Sequence, residues 1–176
     1  MSKRVLTCEE WGDQFRSYQR SAWRWERQPF YASDLATGWP ERWLAGDRSA
    51  PMEFLGPWLA EVRQRRAAGK TMERVRVVDD PMTDIQRWAD WAADFNRQAG
   101  EVILGLARPR ARAVGLLDDA PTDFWLMDDQ LVLLMAFSPS YELLSITADD
   151  DSATVGWACD IRDRARAAVG AELPRA

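Results

Sequence analysis

The sequence predicts a mixed α/β fold: a mixed sheet of about five strands, with one parallel βαβ unit and an antiparallel meander, plus N-terminal helices. Three observations carry this expectation. "RVRVV" (Arg74 to Val78) and "EVILGL" (Glu101 to Leu106) read as strands, and a helical pattern joins them. Three further short apolar runs, Phe124–Met127, Leu131–Phe137 and Leu143–Thr147, are joined by links too short for crossovers and so predict antiparallel pairing. The segment before residue 53 carries helix-capping chemistry and aromatic residues at helical spacing.

Taken in order, Thr7 and Glu10 fit a capping box, with Leu6 and Trp11 as its hydrophobic staple. Trp11, Phe15, Tyr18, Ala22 and Trp25 then recur at spacings of four and three, which predicts one helix ending before Pro29. Residues 29 to 52, rich in Pro and Gly, read as loops with short helical turns tied down by Trp39 and Trp43. A helix follows from Glu53 to Ala68, with Leu55, Leu59 and Val62 on one face and Gly69 as its stop. After the strand at 74–78, Asp80 reads as an N-cap with Pro81 at the first helical position. Met82, Ile85, Trp88, Trp91, Ala92 and Phe95 form that helix's buried stripe, and Gly100 ends it. The stretch "ARPRARAVGLLDDAPT" reads as a loop, and the last helix opens at Asp149–Asp151 with Arg162, Arg164 and Arg166 near its end. The expected organisation is an N-terminal helical segment, 1–52, packed on a mixed α/β domain, 53–176.

The chain has 176 residues, a formal net charge of −5, ten tryptophans, two cysteines and no histidine. The acidic balance argues against general nucleic-acid binding, which needs a basic footprint. Without imidazole there is no His general base, no His-activated Ser or Cys and no His-ligated metal. Cys8 and Cys159 show no metal-type spacing, the start "MSKRVLTCEEW" carries no apolar signal-type run, and no apolar run approaches a membrane span. The expectation is a reduced, cytoplasmic protein with no cofactor, no metal and no membrane contact.

Several apparent motifs reduce to structure. "AAGKT" (Ala67 to Thr71) imitates the end of a phosphate-binding loop, but Gln64 stands where the pattern needs Gly, and the segment closes a helix instead of opening one. Asp128–Asp129 reads as a hairpin turn. Arg63, Arg65 and Arg66, like Arg108, Arg110 and Arg112, read first as solvated charge. The second cluster nonetheless follows one parallel strand, while Asp79 and Asp80 follow the other. Asp123, opening an antiparallel strand, can reach the same sheet edge, where ligands of open α/β sheets gather. Asp79, Asp80, Glu101, Arg108, Arg110, Asp123 and Trp125 are therefore the candidate ligand-binding residues, with no catalytic residue assigned. Trp11, Trp25, Trp88 and Trp91 read as core, whereas periodicity accounts less well for Trp23, Trp39, Trp43 and Trp125.

The stretches "RSAWRWERQPFY" (20–31), "WLAEVRQRRAAGKTMERVRVVDDPMTDIQRW" (58–88), "NRQAGEVILGL" (96–106) and "DFWLMDDQLVLLMAF" (123–137) resemble an actinobacterial family that carries a domain of unknown function. The resemblance implies a regulatory or accessory role beside helix-turn-helix regulators and small partner proteins, and it brings no catalytic residues. A weaker, architectural likeness is to half of a phospholipase-D-type domain in its inactive form. An active one carries His and Lys on the strand that here reads "DFWLM". The functional expectation is a non-catalytic regulatory or accessory module that binds a protein partner, such as a helix-turn-helix regulator, or a small ligand. Homo-oligomers remain compatible with it. The alternative is an enzyme acting on a phosphorylated or nucleotide-like substrate through Asp79, Asp80, Glu101, Asp123 and Arg108. Direct DNA binding is disfavoured for want of a basic recognition helix.

Overall fold

The structure is a computed structural model that describes residues 3–170. Its elements run β1 (Arg4–Val5), α1 (Cys8–Ser17), β2 (Ser21–Glu26), α2 (Ala32–Leu35), α3 (Trp39–Leu44), α4 (Met52–Ala67) and β3 (Thr71–Val78). They continue α5 (Asp84–Ala99), β4 (Val102–Ala107), α6 (Arg108–Ala113), α7 (Leu116–Asp119), β5 (Asp123–Met127), β6 (Leu131–Phe137), β7 (Leu143–Asp149) and α8 (Ser152–Gly170). The mixed α/β class holds, with a seven-stranded sheet in the order β1-β7-β6-β5-β2-β3-β4 where the sequence suggested about five strands. Strands β2, β3 and β4 are mutually parallel, and every other pairing is antiparallel.

The two strands not foreseen both come from the N-terminal stretch, which supplies β1 and β2 as well as three helices. The expected single helix through Trp25 stops at Ser17, and "SAWRWE" is a central strand between β5 and β3. Residues 22–26 also alternate strictly: Trp23 and Trp25 on one face, Ala22, Arg24 and Glu26 on the other. The second pattern wins because both sheet neighbours, β3 and β5, offer ladder partners.

Each sheet face is covered. Trp23, Trp25, Val75, Val77, Leu106 and Phe124 pack with α7 and α8 on one face. Ala22, Met72, Trp125, Met127, Leu133 and Met135 pack with α1 and α4 on the other. The capping box predicted at Thr7 and Glu10 is present in α1. Helix α5 is capped by Thr83 with Gln86, not by Asp80, because the chain after β3 takes three more residues before turning helical. Of its expected stripe, Trp88 and Ala92 are buried, while Met82 lies before the helix. Gly100 ends α5 at φ 108°, a left-handed conformation that glycine adopts without steric cost.

The stretch expected as a loop after β4 holds α6 and α7. Asp149 belongs to β7, and Asp151 takes up the Ala153 and Thr154 amides at the start of α8. Arg162, Arg164 and Arg166 sit within α8 and reach other elements, pairing with Asp129, Asp119 and Glu73. Cross-element ion pairing, more than the helix dipole, accounts for their placement.

Candidate functional site

Strands β2 and β3 set the site. Alternation puts Arg24 and Glu26 of β2, and Arg74 and Arg76 of β3, on the face covered by α1, α4 and α5. The parallel register sets Arg24 beside Arg74 and Glu26 beside Arg76. Four charged side chains thus stand together in mid-sheet, where a sheet covered on both faces normally carries apolar residues.

Glu26 is the hub. It is 1% exposed, and its carboxylate lies 3.1 Å from Arg24 Nη1, 3.0 Å from Arg74 Nη1 and 2.8 Å from Arg76 Nε. Burial alone would oppose its ionisation, but the charges of Arg24, Arg76 and Arg74 outweigh that and hold the carboxyl well below its ordinary range. Arg74 Nε also donates to Glu101 at 2.7 Å, and Arg76 Nη1 donates to the Ala89 carbonyl of α5 at 3.1 Å. Arg24 lies over the rings of Tyr31 and Trp125, its guanidinium carbon 5.1 and 5.3 Å from their centroids.

Above this charged floor lies a cavity of about 550 Å³ between the sheet and the helices. Its walls are largely aromatic and apolar, with Trp11, Phe15, Phe54, Trp58, Trp88 and Trp125 among them. Phe15 meets Trp125 edge-on at 4.8 Å and Trp58 at 6.0 Å. Asp34 lines the cavity from α2, and burial, followed by the nearby Glu26 charge, raises its carboxyl to about 6. Asp123 opens β5 behind Arg24, where it accepts from the Arg27 amide at 3.0 Å and from the Tyr31 hydroxyl. Burial lifts its pKa, with Arg24 pulling the other way. Tyr31 is itself raised by burial and by Asp123.

Of the residues singled out from the sequence, Trp125 lines the cavity, while Glu101 and Asp123 buttress its arginines. Asp79 and Arg108 instead pair with each other at 2.5 Å where β3 and β4 end, with Asp79 also taking the Gln86 amide at 3.1 Å. Asp80 and Arg110 are exposed and stand away from the cavity lining. Asp128 and Asp129 form the β5–β6 turn at φ 54° and 58°, and Asp128 accepts the backbone amides of Gln19, Arg20 and Ser21 at 2.7, 2.7 and 2.9 Å. That carboxylate is a clasp between the hairpin and the entry to β2. Arg65, read as solvated, is tucked in and donates to the Phe15 carbonyl at 3.1 Å.

The sequence of these elements matches a described family across residues 9–171. The chain belongs to the DUF6879 family, a domain of unknown function. No curated protein matches it in sequence. In this DUF6879 chain, sequence reasoning passed over Arg24, Glu26, Asp34, Arg74 and Arg76. The available signal was the doubled alternation within "AWRWE" and "MERVRV": Arg24 and Glu26 alternate with tryptophans, and Arg74 and Arg76 with valines. Among the described residues, no group of three or more Cys, Asp or Glu side chains is arranged to hold a metal ion, and no helix is long and apolar enough to cross a membrane.

Proposed function

We propose that this DUF6879 chain is a non-catalytic, cytoplasmic regulatory or accessory module, and that its ligand is a small molecule held in the cavity over β2 and β3. The observation that carries the reading is the cavity itself. Its volume of about 550 Å³ falls in the range of small-molecule sites, roughly 300–1,000 Å³, and it joins an apolar wall to a few fixed polar groups. The charged groups of its floor are mostly spent on one another, which suits holding more than transforming. The family resemblance adds a protein partner, a helix-turn-helix regulator, whose contact would respond to occupancy.

One observation favours an enzyme as second reading. Asp34, lifted to about 6 by burial and by Glu26, has the character of a general base beside arginines suited to a phosphorylated substrate.

A thermal-stability screen of the purified chain against a small-molecule library tests the proposal, with Ala92→Phe as control. Ala92 lines the cavity, so the added ring fills space that a ligand would take. A ligand at a hundred times its Kd stabilises by about 2.7 kcal/mol, a rise of roughly 5–11 °C for a chain of this size. The expected result is a saturable rise in the parent chain and none in the variant. An equal rise in both, or no rise with any compound, would overturn the proposal. Turnover of a hit that is lost in Asp34→Asn would favour the enzyme.

A further inference from the structure

The unpaired polar atoms around the cavity share a sign. Arg24 Nε and the indole nitrogens of Trp11, Trp88 and Trp125 are buried with no hydrogen-bond partner among the described residues, and all four belong to residues that line the cavity. Every one is a donor. Native proteins rarely leave a buried polar group unpaired, and each such group asks for an explanation. The one buried unpaired carboxylate oxygen nearby, Oε2 of Glu101, belongs to a residue outside the lining.

Resting on the reading of the cavity as a small-molecule site, we infer that its ligand is an aryl anion: a planar aromatic body with a carboxylate or phosphate headgroup that only accepts hydrogen bonds. The headgroup belongs at Arg24. Of the three floor arginines, Arg74 is divided between Glu26 and Glu101, and Arg76 between Glu26 and the Ala89 carbonyl. Arg24 spends Nη1 on Glu26, while Nη2 stands 3.8 Å from Asp123 and Nε has no acceptor. Its guanidinium also lies against the Tyr31 and Trp125 rings, which help to hold it in place. A guanidinium with a vacant N–H, on a residue that lines the cavity, matches an oxyanion. The aromatic body belongs among Phe15, Phe54, Trp58 and Trp88. A cationic headgroup fits less well, because two of the three carboxylates that line the cavity, Glu26 and Glu61, already accept from arginines. Asp34 remains; burial raises its carboxyl to about 6, and a bound anion, by raising it further, would favour its protonated form.

Isothermal titration of the whole chain with four matched probes decides the matter: 2-naphthoate, 2-naphthyl phosphate, 2-naphthamide and 2-naphthylmethylamine. At least one anion is expected to bind roughly tenfold or more tightly than the amide and the amine, since a hydrogen bond to a charged group is worth more than a neutral one. Carboxylate against phosphate identifies the headgroup. Trp125→Phe keeps an aromatic ring at this position but removes the indole N–H, and should weaken the preferred anion about tenfold while leaving the amide, which shares any loss of packing, within a factor of about three. Equal binding of amide and anion, or preference for the amine, overturns the inference while the cavity reading stands. So does failure of all four probes to bind a folded chain whose cavity takes another compound from the screen.

Discussion

Replacing Glu26 with Gln removes one negative charge from the centre of three guanidiniums and leaves the side-chain volume almost unchanged. Arg24, Arg74 and Arg76 approach that carboxylate at 3.1, 3.0 and 2.8 Å, and it is 1% exposed. Taking one partner from a buried ion pair costs about 3–5 kcal/mol, because the remaining charge stays buried and uncompensated. Three cations share this anion, which puts the expected loss at the upper end, about 4–5 kcal/mol, or a Tm lower by roughly 8–20 °C. The sign of the pH dependence follows. Glu26 ionises near 4.5 in the unfolded chain and well below that in the folded one, where burial is outweighed by the arginines. Its contribution is therefore complete above pH 4.5 and is lost as pH falls toward the folded-state value. The gap between parent and variant should narrow by about 1.4 kcal/mol for each pH unit below that point. Urea unfolding at pH 7 and at pH 3.5 reads both quantities. A variant within 1 kcal/mol of the parent at pH 7, or a gap that does not shrink in acid, would refute the assignment of Glu26 as an ionised hub.

Asp34→Asn should act in the opposite sense. A carboxyl raised from 3.8 to about 6 by burial and Glu26 penalises the fold once it must ionise, so the variant should gain stability at pH 8 and little at pH 4, as urea midpoints would show. Asp128→Asn keeps a residue type suited to the left-handed turn but loses the charge that holds three amides, and should cost about 1–3 kcal/mol by chemical denaturation. Gly156→Ala, within α8 and with open space around the added methyl, should stabilise by about 0.5–1 kcal/mol. Gly100→Ala should destabilise by about 1–2 kcal/mol or more, because at φ 108° its Cβ would stand 2.9 Å from Arg66 Cγ. Thermal melts of the pair that shift in the same direction would contradict this contrast.

Much of the fold is legible where a local signal has a single meaning. The capping box at Thr7, the glycine stops at 69 and 100, the βαβ unit and the Asp128–Asp129 turn all follow from short-range chemistry. "SAWRWE" is the instructive failure. Its residues satisfy a helical and a strand period at once, and only long-range pairing with β3 and β5 chooses. The candidate site suffered from the same ambiguity. With β2 unseen, nothing brought Arg24 and Glu26 to Arg74 and Arg76, so attention fell on the strand ends, where Asp79 and Arg108 pair with each other. The cavity depends on how α1, α4 and α5 span the sheet, which no local pattern encodes.

The charged quartet of β2 and β3 also acts as an alignment key. Sliding β3 by one residue against β2 would swing Arg74 and Arg76 into the apolar layer under α8 and present Val75 and Val77 to Glu26. Such a slip would strand several ions in a greasy interior, so the misaligned sheet is penalised far more than an all-valine version would be. Parallel strands lack a tight hairpin to set their stagger, and in this chain Glu26 and its arginines take over that duty.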